Sequence, residues 1–329
     1  EVEATSLSPF IHAEWQVADK LRATTGLRFE HTRYQYDNKI ANNVDANGNP
    51  VQVDGSVCPD IAPYDDGCLY RRPEDRNDTF NDWSPKLGLT YRIAEDHSTY
   101  ANLSRGHRAP QTTDLYRLQT FQVTGDIDSE QADSLEIGFR GQASIVKYDV
   151  AAFYMKKKNF FFRDSDGENV TDGKTKHKGI EASVSLPLGS QFDVAASYTH
   201  AIHEYDFDRP APSFAASNNI EKGDEVDTAP KNIANVRLGW NFKANSRAEL
   251  EWSHIGNYFL DPSNTNKYEG HDLFNLRMNT QVAKGLVIHG QIKNLFDTEY
   301  ADRADFAFGD YRFFPGRERH YEIGASYNF

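Results

Sequence analysis

Few residues in this 329-residue chain have types and spacings that could do chemistry. Cys58 and Cys68 stand close together in the polar stretch CPDIAPYDDGC. Such a pair reads as a local disulfide formed in an oxidising compartment, with two unpaired thiols as the alternative. One pair cannot complete a four-ligand zinc site. The 11 histidines are scattered. DANGN at 45–49 and DSDGEN at 164–169 look like calcium loops. Each lacks the spaced acidic ligand that closes such a site, and Asp, Asn and Gly are ordinary turn formers. No nucleophile elbow, zinc-hydrolase helix or phosphate-cradling glycine loop is found, so no catalytic residue, metal or cofactor is assigned. Arginine beside aromatic residues recurs in two long polar segments. Residues 106–130 carry His107, Arg108, Tyr116, Arg117, Gln119 and Phe121; residues 206–231, entered through Tyr205, carry Phe207, Arg209 and Phe214. Charge-assisted hydrogen bonds and stacking would suit these types to an anionic, aromatic chelate. The plainer reading is that Arg108 and Tyr116 tie loop to framework.

Composition narrows the framework. With 36 basic against 49 acidic side chains the formal net charge is −13, unsuited to a phosphate backbone, so no nucleic-acid partner is expected. Hydrophobic residues make up only 38% of the chain while aromatics reach 13%. No apolar run approaches the roughly 18 residues of a membrane-spanning helix. A β-barrel stays possible, because alternating lipid-facing and lumen-facing residues look polar on average. The opening EVEATSLSPF has neither a basic nor an apolar segment of a signal peptide.

Period-2 patterning runs through the whole chain. Leu135, Ile137 and Phe139 alternate with Glu136, Gly138 and Arg140; Ile180, Ala182, Val184 and Leu186 alternate with Glu181, Ser183 and Ser185. Val236, Leu238 and Trp240 oppose Arg237, Gly239 and Asn241 in the same way. About thirteen strands are predicted, over 7–17, 21–36, 83–92, 98–105, 131–140, 144–163, 175–187, 191–205, 232–242, 246–260, 271–282, 285–295 and 317–329. Their links alternate strictly: short ones after residues 17, 92, 140, 187, 242 and 282, long ones over 37–82, 106–130, 164–174, 206–231, 261–270 and 296–316. Short turns on one rim and long loops on the other are the plan of an outer-membrane barrel, and strands of ten or more residues fit a tilted crossing. The last strand ends on the outward stripe Tyr321, Ile323, Ala325, Tyr327 and Phe329.

Particular motifs now stand on those strands. NLSRGHRAPQTTDLY (102–116), DSLEIGFRG (133–141), HKGIEASV (177–184), TAPKNIANVRLGW (228–240), DLFNLRMNTQVAKGLVIHGQIKNLFDTEYAD (272–302) and the closing PGRERHYEIGASYNF keep a characteristic order. From about residue 7 to the end the chain resembles the TonB-dependent outer-membrane receptors. It departs at His107, where that family usually places Phe.

The resemblance implies a 22-stranded barrel around an N-terminal plug. Thirteen strands with no plug and no TonB box would then be the C-terminal portion of the barrel, about nine strands short. It further implies active uptake of a scarce large solute, a ferric siderophore first, with TonB as the energy-coupling partner. Outer-membrane lipid would surround the wall, and the barrel-assembly machinery would read Phe329. His107, Arg108, Tyr116, Arg117, Gln119, Tyr205, Phe207 and Arg209 become the expected ligand contacts. A haem receptor would use His107, but 124–136 reads TGDIDSEQADSLE without the N-P-N-L segment of haem receptors. A cobalamin or oligosaccharide receptor, a passive porin-like channel and a soluble all-β binding protein are the other readings.

Overall fold

The computed structural model describes residues 1–37, 75–116, 127–163, 169–211 and 217–329, without the side chains of 163 and 169–171. Cys58, Cys68, Arg117, Gln119, Phe121, Phe214 and the stretches 45–49 and 164–168 fall outside the described residues.

The strands are β1 (Val2–Leu7), β2 (Phe10–Ala18), β3 (Leu21–Tyr36), β4 (Arg76–Ala94), β5 (His97–Arg108), β6 (Glu130–Ala143), β7 (Val146–Arg163), β8 (Asn169–Leu188) and β9 (Phe192–Tyr205). They continue with β10 (Asn232–Lys243), β11 (Ser246–Ile255), β12 (Tyr258–Phe259), β13 (Lys267–Tyr268), β14 (His271–Ala283), β15 (Leu286–Lys293), β16 (Ala301–Ala307), β17 (Asp310–Pro315) and β18 (His320–Tyr327). One helix of 5 residues, α1 (Thr112–Tyr116), interrupts them. The main sheet runs β1-β3-β4-β5-β6-β7-β8-β9-β10-β11-β14-β15-β18, with β2 also paired to β3. It is an antiparallel meander in chain order, as the alternation predicts. Among the described residues no ladder joins β1 or β2 to β18. Both of those segments run toward the short-turn rim, so they could meet only in parallel.

The differences from the predicted strands have local causes. The first strand begins earlier than residue 7 and breaks at Ser8-Pro9, because proline brings no N–H to a ladder. β4 and β8 span 19 and 20 residues, well past the roughly 9–11 that cross lipid. The sequence of their loop-side halves shows no apolar alternation to read. The turn expected near Gly141 lies at Ser144-Ile145, and β11 stops at Ile255 instead of running to 260. There Gly256 donates to the Asn232 carbonyl (2.8 Å) and the chain leaves the ladder. Short turns place Gly189, Gly285 and Asn245 at positive φ, which β-branched residues resist.

Two compact units divide the chain: 1–12, 26–85 and 105–132 form one, and 13–25, 86–104 and 133–329 the other. In the second, the outward stripes are bare: Ile137 is 55% exposed, Ile180 53% and Ile323 89%. So continuous an apolar face suits lipid and would be a liability in water. The inward face is polar and close-packed at glycine. Tyr100 of β5 lies across Gly138 of β6, its hydroxyl toward Asp149 (3.4 Å) and Arg140 over its ring (5.2 Å). The buried apolar groups instead collect under the loops. Tyr258, Leu260, Ala301 and Ala304 make one such cluster, at the hairpins β12-β13 and β16-β17; β12 lies in the tail of the predicted strand 246–260, and β13, β16 and β17 lie in the predicted long links 261–270 and 296–316.

A methyl group at Gly138 would meet the Tyr100 ring closer than ordinary packing permits, whereas Gly106 has nothing within 4 Å. Gly138→Ala should therefore destabilise the wall by about 1–3 kcal/mol through overpacking. Gly106→Ala should stay within about 0.5 kcal/mol of the parent. The urea midpoint for loss of the heat-modifiable folded band on gels checks both.

Candidate functional site: the outer loops

In the first unit the segment after β5 is drawn onto the tops of β3 and β4. Gln111 and Asp114 cap α1: the Gln111 amide donates to Asp114 Oδ2 (3.0 Å) and the Asp114 amide to the Gln111 carbonyl (2.9 Å). That short turn buries Leu115 and Tyr116 against Tyr36, with Tyr34, Phe80 and Ile127 around them. The Tyr116 and Tyr36 rings stack at 4.6 Å and 16°. The Tyr116 hydroxyl donates to Asp78 Oδ2 (2.5 Å), and Arg76 pairs with the same carboxylate. Burial, then Asp78, pushes the Tyr116 hydroxyl pKa upward. Arg108 reaches Glu130 at 2.6 Å, across an acid that is almost fully enclosed while the guanidinium stays half exposed. His107 Nδ1 lies 3.3 Å from Ser84 Oγ. Three of the expected ligand contacts thus hold the loop to the wall in this structure, and Arg108 still presents its outer edge.

In the second unit the loop after β9 folds back along it. Gly223 donates to the Tyr205 carbonyl (2.9 Å), the Tyr205 amide to the Asp224 carbonyl (2.8 Å), and Val226 to the His203 carbonyl (2.9 Å). Arg209 and Ile220 exchange both backbone hydrogen bonds at 2.9 Å. Tyr205, only 2% exposed, donates its hydroxyl to Asp227 Oδ1 (2.6 Å) and meets the Phe207 ring edge-on at 5.8 Å. Burial raises the Asp227 carboxyl pKa, and the Tyr205 bond only partly offsets that. The Lys176 hydrogen bond, with help from Lys222, holds Asp206 below the ordinary carboxylate range. A second brace comes from Asp261, fully buried, which accepts from the amides of Thr265 (3.1 Å) and Asn266 (2.8 Å). Asn264 in that turn exchanges two bonds with the Glu225 backbone (2.7 and 2.8 Å).

The inward wall below is a lattice of opposite charges. Arg247 grips Asp193 through two bonds (2.5 and 2.8 Å), Arg277 reaches Glu251 (2.6 Å) and Lys293 reaches Glu322 (3.2 Å). Among the described residues no group of three His, Cys, Asp or Glu is set to hold a metal. Sequence reading found the loop tyrosines and arginines but missed Glu130, Asp227 and Asp261. Only the TAPKN motif beside Asp227 hinted at any of these.

A family profile described as "TonB dependent receptor-like, beta-barrel" matches residues 1–295. The metal-pseudopaline receptor CntO of Pseudomonas aeruginosa is 22% identical over 260 residues, 75% of this chain and 33% of CntO. The vitamin B12 transporter BtuB of Photobacterium profundum is 21% identical over 266 residues, 80% of this chain and 40% of BtuB. The crystal structure of the ferric yersiniabactin uptake receptor FyuA from Yersinia pestis shares the fold at a TM-score of 0.74 and 15% identity. That likeness covers 100% of this chain and 46% of FyuA. The chain therefore spans a third to a half of the length of the proteins it matches.

Because the Asp227 pKa is raised in the folded loop, its contribution to loop stability is full below the ordinary carboxylate pKa. It is lost as pH rises through the raised value. Proteolysis within 206–231 should accelerate as pH rises above the ordinary carboxylate pKa of about 4 in the parent and stay flat in Asp227→Asn, which keeps an acceptor for Tyr205. Tyr205→Phe should loosen the loop by about 1–3 kcal/mol by stranding that carboxyl.

Proposed function

The chain belongs to the TonB-dependent receptor family, and from that premise we propose that it forms the C-terminal portion of an outer-membrane receptor importing a scarce metal chelate, a ferric siderophore first. The carrying observation is the family match over 1–295 on a wall whose outward stripes are apolar and whose inward face is charged. Lipid of a Gram-negative outer membrane covers the outward face. Strand-edge amides cannot rest unpaired in hydrocarbon, so the remaining strands of the barrel close the sheet. The plug that lies with them receives TonB. Phe329, two residues past β18, meets the Tyr327 ring edge-on at 5.2 Å.

Capture belongs to the outer loops. Tyr116 and Tyr205 shape them from within. The candidate contacts are His107 and Arg108 at the end of β5, Arg117 and Gln119 in the segment after it, and Phe207 and Arg209 in the loop after β9. Guanidinium groups beside aromatic rings match an anionic chelate with aromatic parts. The work is transport, not catalysis: binding energy is spent on capture, and the proton-motive force on release inward.

The test is uptake of iron-55 chelates by iron-starved cells with and without the gene. One chelate class should be taken up only with the gene, and a protonophore should abolish that uptake; uptake that persists without the gradient would make the protein a passive channel. In the same cells Arg117→Ala with Arg209→Ala should weaken binding about 10- to 150-fold, equivalent to about 1.5–3 kcal/mol for a charge-assisted bond. Maximal uptake at saturating chelate should change little.

A further inference from the structure

Below the outer loops, three neighbouring strands bring soft and borderline metal donors into one row. Antiparallel register sets Met155 of β7 opposite His177 of β8, and His177 opposite His203 of β9. Residues opposite one another on adjacent strands share a face. The bare stripe of β8 carries Ile180, so His177, three positions away, lies on the inward face. Outward neighbours at this level are charged: Lys178 pairs with Glu204 at 3.2 Å. The row therefore stands in the watered, loop-side part of the wall.

The two rings are already turned toward each other. His177 Nδ1 and His203 Nδ1 are 2.7 Å apart, with ring centroids at 5.0 Å and planes at 58°. The other nitrogen of His177, Nε2, lies 2.8 Å from the hydroxyl of Thr175, itself only 2% exposed. A second hydrogen bond that fixes ring and tautomer is how proteins orient an imidazole for a metal. Two converging imidazoles and a thioether are a soft, neutral donor set. Lys157, next on the same face after Met155, adds a positive charge close to His177. A dication without a carboxylate beside a lysine is disfavoured electrostatically. A soft monocation with thioether and imidazole ligands is the better match.

We propose that Met155, His177 and His203 form a binding site for a soft monovalent ion, Cu(I) above all, on the inward wall below the loops. The site is independent of which chelate the loops capture. Each imidazole nitrogen gives its lone pair to the ion, the Met155 sulfur supplies the third donor, and Thr175 holds His177 by its Nε2–H. No electron transfer is involved.

The test is competition for Cu(I) against bicinchoninate under ascorbate. It uses the detergent-purified receptor without a histidine tag, in a Cys58→Ser/Cys68→Ser background so that neither sulfur competes. The parent should withdraw one equivalent of Cu(I). His177→Ala and His203→Ala should lose it, and Met155→Leu should weaken it by about 10-fold. Should the alanine variants lose their heat-modifiable folded band, the His177→Gln/His203→Gln pair replaces them. X-ray absorption should show a copper–sulfur path in the parent and none in Met155→Leu. Copper retained by the histidine variants, or no copper taken by the parent, overturns the site and leaves a proton-sharing pair of rings. Zn(II) bound as tightly as Cu(I), with Met155→Leu unchanged, overturns the soft-ion assignment.

Discussion

The backbone hydrogen-bond ladder in an apolar solvent is the constraint from which the rest of this structure follows. In hydrocarbon an unpaired N–H or C=O costs several kcal/mol, so every crossing segment must pair with neighbours along its whole length. That requirement forces the antiparallel meander. It places the polar turns at the rims, and through the two-residue side-chain period it sorts each strand into a lipid stripe and a water stripe. Ile137, Ile180 and Ile323 lie bare on a stripe suited to lipid.

Turning the apolar face outward leaves the wall with little interior of its own. The inward face is held by charge and by close approach: Arg247 on Asp193, Arg277 on Glu251, Tyr100 laid over Gly138. Buried apolar side chains collect where water surrounds the chain on all sides, under the outer loops. There Leu115 and Tyr116 pack on Tyr36, and Leu260 packs with Ala301 and Ala304. The loops are thus folded bodies with cores, anchored by buried carboxylates such as Asp261 and Glu130.

Loop anchoring also explains why one motif serves two ends. Arg108 belongs to the segment that marks the family, and it spends one side of its guanidinium on Glu130. Tyr205 is likewise spent on Asp227. Residues committed to such bonds set the shape of the loops, and Phe207, edge-on to the Tyr205 ring, is placed by them.

The sequence by itself determined the wall. Its period-2 stripes, the strict alternation of short and long links and the Gly and Asn of the turns are local facts, and local facts decide which residues face lipid. The motifs from NLSRGHRAP to the closing Phe329 added the family. Tertiary structure alone decided what happens above the lipid. There apolar alternation fades from the sequence, and strands such as β4 and β8 run on past their predicted bounds. The pairs Arg108–Glu130 and Tyr205–Asp227 each join residues 22 positions apart, and the hairpin β16-β17 and the back-folded loop at Tyr205 pair segments with no alternation to announce them. The meeting of His177 with His203, 26 positions apart, has the same origin: it depends on strand register, which a pattern read along one strand does not contain.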